Sequence, residues 1–306
     1  MRILITGVGG YIGSVLADKL TRNNDYKVHG IDKFIYNNEK SIIPLLNRPN
    51  FSVEKKDVRE LGEEDLKYEV IIHLAALVGA PLCEEHPNEA KSVNYLATKR
   101  ICELSSGYTQ ILYPNTNSGY GVASEICTED SPLNPISVYG VTKCEGEKAV
   151  LDRGHSTSFR LATVFGVSPR MRMDLMVNRF VAEIYFKGHL TIFEPHFKRN
   201  FVGINDVASA FTWGIGLEGV YNVGLDSANC TKIELANLVR DTVNPNGTVT
   251  IGTGKDPDKR DYNVSSAKLV NTGFKFNDKL DLAMLRLKTI CNLTGYKIMN
   301  EGNYNV

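Results

Sequence analysis

The chain has 306 residues, 42% of them hydrophobic and 23% charged. That is enough apolar material for one large globular domain or two moderate ones. Lys plus Arg equals Asp plus Glu at 35 each, a zero balance that argues against nonspecific attraction to nucleic acid or an anionic membrane.

The first segment, 2–6, reads as a buried strand. Gly7-Val8-Gly9-Gly10-Tyr11-Ile12-Gly13 follows it, and then a helix over 12–21 with Val15, Leu16 and Leu20 at helical spacing. Further strands are expected at 27–31, 51–55, 70–75, 110–113 and 158–163. Helices are expected over 90–105 and 138–151. Strands alternating with helices imply right-handed crossovers and a doubly wound parallel (Rossmann) α/β sheet. After about Phe165 the rhythm loosens. A helix over 176–186 precedes short strands at 190–192, 201–202 and 219–224. A helix over 231–243, capped by Thr231 or Asn229, is followed by a polar loop over 244–259. The expected organisation is a cofactor domain over 1–165, joined by a segment near 200–224, and a smaller C-terminal α/β substrate lobe within 166–306.

No run is apolar enough to span a membrane, and no signal peptide is read at the N-terminus. The six cysteines are scattered without a C-x-x-C pair. The expectation is reduced thiols, no metal site and a cytoplasmic protein.

Glycine is needed where strand turns sharply into helix and where backbone must touch phosphate. Gly7, Gly10 and Gly13 have the spacing G-x-x-G-x-x-G, which puts a pyrophosphate on the amides of Tyr11, Ile12 and Gly13. Asp32 stands nineteen residues past Gly13, where a carboxylate accepts hydrogen bonds from an adenosine ribose. A carboxylate there repels a 2′-phosphate, so NAD is favoured over NADP. Lys33, next to it, opposes this slightly.

Tyr139 and Lys143 lie four apart on one helix face. A nearby ammonium and a positive nicotinamide would both favour phenolate and make Tyr139 a usable base. The strand at 110–113 runs into Pro114-Asn115-Thr116-Asn117-Ser118-Gly119-Tyr120-Gly121. Strand carboxyl ends line the ligand crevice of a doubly wound sheet, so Thr116 or Ser118 is placed to hold a substrate oxygen.

Together with Asp57-Val58-Arg59, His73-Leu74-Ala75-Ala76, Val93-Asn94, Arg160 to Gly166, Arg199-Asn200-Phe201-Val202 and Tyr221 to Gly224, these motifs run nearly the whole chain. The chain resembles the extended short-chain dehydrogenase/reductase family, in its nucleotide-sugar epimerase/dehydratase branch. The resemblance implies roles. Asp57 and Val58 contact adenine, and Leu74, Ala75 and Ala76 line the cofactor cleft. Asn94 sits below the nicotinamide ribose. Thr116, Tyr139 and Lys143 are catalytic, and Lys143 bridges to that ribose. Asn178, Arg199 and Arg260 contact a nucleotide-sugar diphosphate, and Phe193 packs on its base. A homodimer through the helices at 90–105 and 138–151 is also implied. The branch's dehydratases place Asp-Glu after the catalytic Thr, whereas Asn117 and Ser118 stand here and neither is a general acid at neutral pH. Thr163 stands where the branch usually has Asn. Cys83 is read as a buried small side chain rather than a residue of the substrate entrance.

The expected function is 4-epimerisation of a nucleotide sugar through a transient 4-keto sugar. The alternative is a nucleotide-sugar reductase or dehydrogenase using exchangeable NAD(P)H. A noncatalytic dinucleotide sensor has no need of the proton-transfer set.

Overall fold

A computed structural model describes residues 1–254 and 259–295. Parts of the expected 244–259 loop and of the C-terminal lobe, at 255–258 and 296–306, lie outside the described residues.

Seven strands form one parallel sheet: β1 (Arg2–Thr6), β2 (Lys27–Asp32), β3 (Phe51–Lys55), β4 (Val70–His73), β5 (Gln110–Thr116), β6 (Ser156–Leu161) and β7 (Gly219–Val223). Their spatial order is β7-β6-β5-β4-β1-β2-β3. The order reverses between β1 and β4, which is where a doubly wound sheet opens a crevice at its strand carboxyl ends.

Both faces are covered. Ile3 and Ile5 of β1 point one way, into a core shared with Leu16, Val207 and Phe211 of α1 (Tyr11–Leu20) and the helix Ile204–Trp213. Leu4 points the other way and packs with Ile71, Ile111, Ile101 and Val150. The period-2 alternation of a strand distributes these residues between the two layers. A separate core, with Phe180, Ile184, Leu235, Val239, Met284 and Leu287, holds the C-terminal helices together.

Several expected elements change at their edges. The helix expected over 90–105 is a helical run broken by a π turn, Lys91–Leu96, before α2 (Ala97–Leu104). The strand expected over 158–163 is two strands. Ala162 N donates to Val223 O (2.9 Å), but Thr163 N donates to Asn200 O (3.0 Å), so the chain leaves the main sheet there. Thr163–Phe165 then pairs with Phe201–Gly203. The loop expected over 244–259 contains a strand, Thr248–Ile251, paired with His189–Ile192. Thr231 caps the helix Lys232–Val243 in a capping box with Glu234. The helices Ile204–Trp213 and Leu280–Thr294 were not expected. Among the described residues, no helix is long and apolar enough to cross a membrane.

Candidate active site

The glycine loop is shaped by what it excludes. Gly7 has φ +72°, and a Cβ there would lie 2.8 Å from Ala75 N. A Cβ on Gly13 would lie 2.2 Å from Gly7 O. Helical bonding in α1 begins with Ser14 N donating to Gly10 O (3.1 Å), so the amides of 11–13 precede the ladder and face the crevice end. Gly9 N donates to Asp32 Oδ2 (2.9 Å), which ties the loop to the end of β2.

Asp32 also accepts from Phe34 N (2.7 Å), and burial raises its carboxyl. Three nearby cations are committed elsewhere. Lys33 pairs with Asp57 (3.0 Å), Arg59 pairs with the same carboxylate, and Lys56 pairs with Asp65 (2.6 Å). These two cations hold Asp57 well below the usual carboxylate range, Arg59 most strongly. A carboxylate at this place suits a free 2′-hydroxyl and opposes a phosphate, with the Arg170 guanidinium offsetting part of its charge.

One cavity runs from this loop to Thr116, Tyr139 and Lys143. Gly7, Gly10, Tyr11, Ile12 and Gly13 line it, with Asp32, Lys33, Asp57 and Val58. So do Leu74, Ala75 and Ala76 beyond β4, and Thr116, Tyr139, Lys143 and Arg260. A glycine cradle that admits no Cβ, a helix N-terminus and a ribose-binding carboxylate in one cavity fit a dinucleotide.

The residues expected to be catalytic come from two elements. Thr116 ends β5, and its hydroxyl donates to Ser118 Oγ (3.0 Å) and accepts from Ser118 N (3.1 Å). Arg260 donates to the same Ser118 oxygen. Tyr139 and Lys143 sit in the first two turns of α3 (Val138–Arg153), which Ser137 caps through Gly140 N (3.1 Å). Lys143 is 3% exposed, and its ammonium stands 3.9 Å from the centroid of the Tyr113 ring. Burial pulls its pKa down to about 7. Burial pushes the Tyr139 phenol up to about 12, Cys83 adds to the rise, and Arg172 and Arg260 oppose it. The protein's own charges thus do not supply the acidity expected at Tyr139.

Four expected contacts do not line this cavity. Asn94 is buried behind its wall, because its amide is used in bonding Leu77 N (2.7 Å), Leu77 O (2.9 Å) and Thr142 Oγ1 (3.2 Å). It fixes the wall loop against α3. Asn178, 0% exposed, accepts from Gly166 N and donates to Tyr11 Oη and Arg172 O. It fastens the C-terminal lobe to the start of α1 rather than facing a ligand. Arg199 is buried beside the Tyr262 ring and donates to Lys198 O. Phe193 packs against the 252–254 segment, where a Cβ on Gly252 would lie 2.3 Å from its ring. Cys83 is fully buried, with burial raising its thiol to about 11.

The sequence reading missed Tyr36, Arg170, Arg172 and Tyr262, all of which line the cavity. Arg170 and Arg172 fall in the Pro169-Arg170-Met171-Arg172 break, where adjacent cations in a loop were the available signal. Thr163, at the expected Asn position, also lines the cavity.

Residues 3–224 match the model of the NAD dependent epimerase/dehydratase family. An uncharacterized UDP-glucose epimerase, YtcB, of Bacillus subtilis (strain 168) is 30% identical over 266 residues, covering 79% of this chain and 82% of that protein. UDP-glucuronic acid decarboxylase 1 of Arabidopsis thaliana is 28% identical over 285 residues, 88% of this chain, and the chain spans 65% of its length. The UDP-glucuronic acid 4-epimerase of Bacillus cereus, solved with UDP-glucuronic acid and NAD, shares the fold at a TM-score of 0.86 and 22% identity, over 96% of this chain and 100% of that one. By its matched span and its site, the chain belongs to the NAD dependent epimerase/dehydratase family.

Proposed function

We propose that the protein is an NAD-dependent nucleotide-sugar 4-epimerase. The observation that carries this reading is the meeting of Thr116, Tyr139 and Lys143 with the glycine loop and Asp32 on one cavity. NAD, when bound, supplies a two-electron acceptor that can later return what it takes, and a positive ring that lowers the phenol's pKa. Tyr139 takes the proton from the sugar O4 and gives it back after the transient 4-keto sugar has turned. Thr116 donates to that oxygen once its hydroxyl turns from Ser118. Lys143 holds a cation or a proton near the phenol, its pKa matched to neutral pH. Binding energy from the distant nucleotide retains the intermediate during the turn.

Asn117 and Ser118 follow Thr116 and give no second acid, which supports epimerisation over 4,6-dehydration. The similar proteins, epimerases among them, support the same class. Arg260, at the Ser118 end of the cavity, is proposed to contact the diphosphate. We assign residues 1–165, with 200–224, to the cofactor and most of 166–306 to the sugar nucleotide. A homodimer through the faces carrying Leu96 (49% exposed) and Val141 (40%) fits their apolar exposure, and a cytoplasmic location fits six free thiols.

The test is a panel of UDP-, GDP-, CDP- and dTDP-sugars incubated without added cofactor. Interconversion of a C4 epimer pair is the expected result. Stoichiometric consumption of added NAD(P)H would establish the reductase instead.

A further inference from the structure

Two side chains from opposite rims of the cavity meet. The Arg170 guanidinium carbon lies 5.2 Å from the centroid of the Tyr36 ring. Tyr36 follows Asp32 on the ribose side. Arg170 lies beyond Phe165, in the segment leading to the helix Met176–Lys187.

Both rims are fastened to the dinucleotide site. The Tyr36 loop holds left-handed backbone at Phe34 (φ 54°) and Asn37 (φ 50°). Such backbone persists only where surrounding contacts impose it. The contacts are Phe34 N on Asp32, Asn37 N on Phe34 O (3.1 Å) and Asn38 Nδ2 on Gly9 O (2.6 Å). On the other rim, Ser168 Oγ donates to Tyr11 O (2.8 Å) and accepts from Arg170 N (3.2 Å). Tyr11 Oη donates to Gly166 O (2.7 Å). The ring and the guanidinium thus meet from supports that both rest on the glycine loop and the start of α1.

We infer that Tyr36 and Arg170 form a clasp across the dinucleotide cleft that keeps NAD resident through the catalytic cycle. This rests on the epimerase reading, in which one cofactor serves both half-reactions without exchange. The guanidinium acts twice. It binds the Tyr36 face, and it presents a planar cation toward Asp32 from a backbone held through Ser168 to Tyr11 at the start of α1, the end at which a diphosphate is received. A leaving dinucleotide must break the first contact and forgo the second.

The test measures release of NADH, by its fluorescence, from the whole protein during a chase with excess NAD. Tyr36→Leu removes the ring face, Arg170→Gln removes the charge, and Tyr36→Phe keeps the ring. A desolvated cation–π contact is worth up to about 2 kcal/mol, which corresponds to about 30-fold in rate. Threefold or greater acceleration in both Tyr36→Leu and Arg170→Gln, with Tyr36→Phe at the wild-type rate, supports the clasp. A smaller acceleration in either overturns it. If Arg170→Gln does not fold, the Tyr36 pair decides by the same threshold. Loss of the epimerase reading looks different, because the sugar panel then shows no cofactor-independent conversion whatever the release rates.

Discussion

Replacing Lys143 by Met should make the protein more stable, by an amount that depends on pH. Folding buries this lysine to 3% exposure, with its ammonium against the Tyr113 ring, and lowers its pKa from 10.5 to about 7. Below pH 7 the lysine is protonated in both the folded and unfolded states, and the folded state carries the full desolvation cost. The gap of about 3.5 in pKa corresponds to about 5 kcal/mol. Between pH 7 and 10.5 the unfolded chain binds one proton more than the folded one, so wild-type stability rises with pH by about 1.4 kcal/mol per unit. A methionine of similar length has no such dependence. The assay is urea unfolding of both proteins, stripped of cofactor, at pH 6, 7, 8 and 9. The difference between them cancels the cysteines and other titrating groups. Lys143→Met should be the more stable by about 5 kcal/mol at pH 6, and its advantage should shrink by about 2 kcal/mol between pH 7 and 9. A difference that stays flat with pH, or a wild type more stable at pH 6, would refute the reasoning. A stabilised variant that no longer turns over substrate would identify Lys143 as kept for chemistry at the expense of stability.

Tyr139→Phe should lower turnover by about 10³-fold, within the range of acid–base catalysis, while the NAD content of the purified protein stays near wild type; near-normal turnover would remove Tyr139 from the proton path. Gly13→Ala places a Cβ 2.2 Å from Gly7 O, so it should abolish co-purified NAD and cost about 1–3 kcal/mol by urea unfolding. Retained cofactor would show that the loop can move aside. Glu147 accepts from Arg160 Nη2 (2.8 Å) and Ser158 Oγ (2.6 Å) in a buried pair that ties α3 to β6. Glu147→Leu alone strands the guanidinium and should cost about 3–5 kcal/mol, and adding Arg160→Met should recover part of that loss. A double variant less stable than the single one would contradict this account.

The cofactor half of the site was readable because its parts are local. A glycine loop, the helix it starts and an acid at the end of the next strand occupy one stretch of chain, and each has a backbone reason for its residue type. Thr116, Tyr139 and Lys143 were readable by the same logic of strand ends and helix spacing. His73 shows where such logic stops. It stands in the His73-Leu74-Ala75-Ala76 motif, yet it is fully buried between Thr6 Oγ1 (2.7 Å) and Thr98 Oγ1 (2.9 Å), and burial lowers its pKa to about 3. It is a neutral strut. Asn94 and Asn178 also stand where they were expected, but their amides are consumed by backbone groups and neighbouring hydroxyls that no spacing reveals.

The sequence by itself determined the alternating α/β layers, the glycine turn into α1, and the placing of Asp32, Thr116, Tyr139 and Lys143 at strand ends and on one helix face, since each follows from periodicity or from a residue's intrinsic conformational limits. Tertiary structure decided which polar groups still face the cavity after neighbours have taken their hydrogen bonds. It also decided the protonation levels of Tyr139 and Lys143, which depend on burial, and the meeting of Tyr36 with Arg170. Those outcomes depend on segments far apart in the chain being packed together, and the strength and direction of every electrostatic effect there is set by how much water that packing removes.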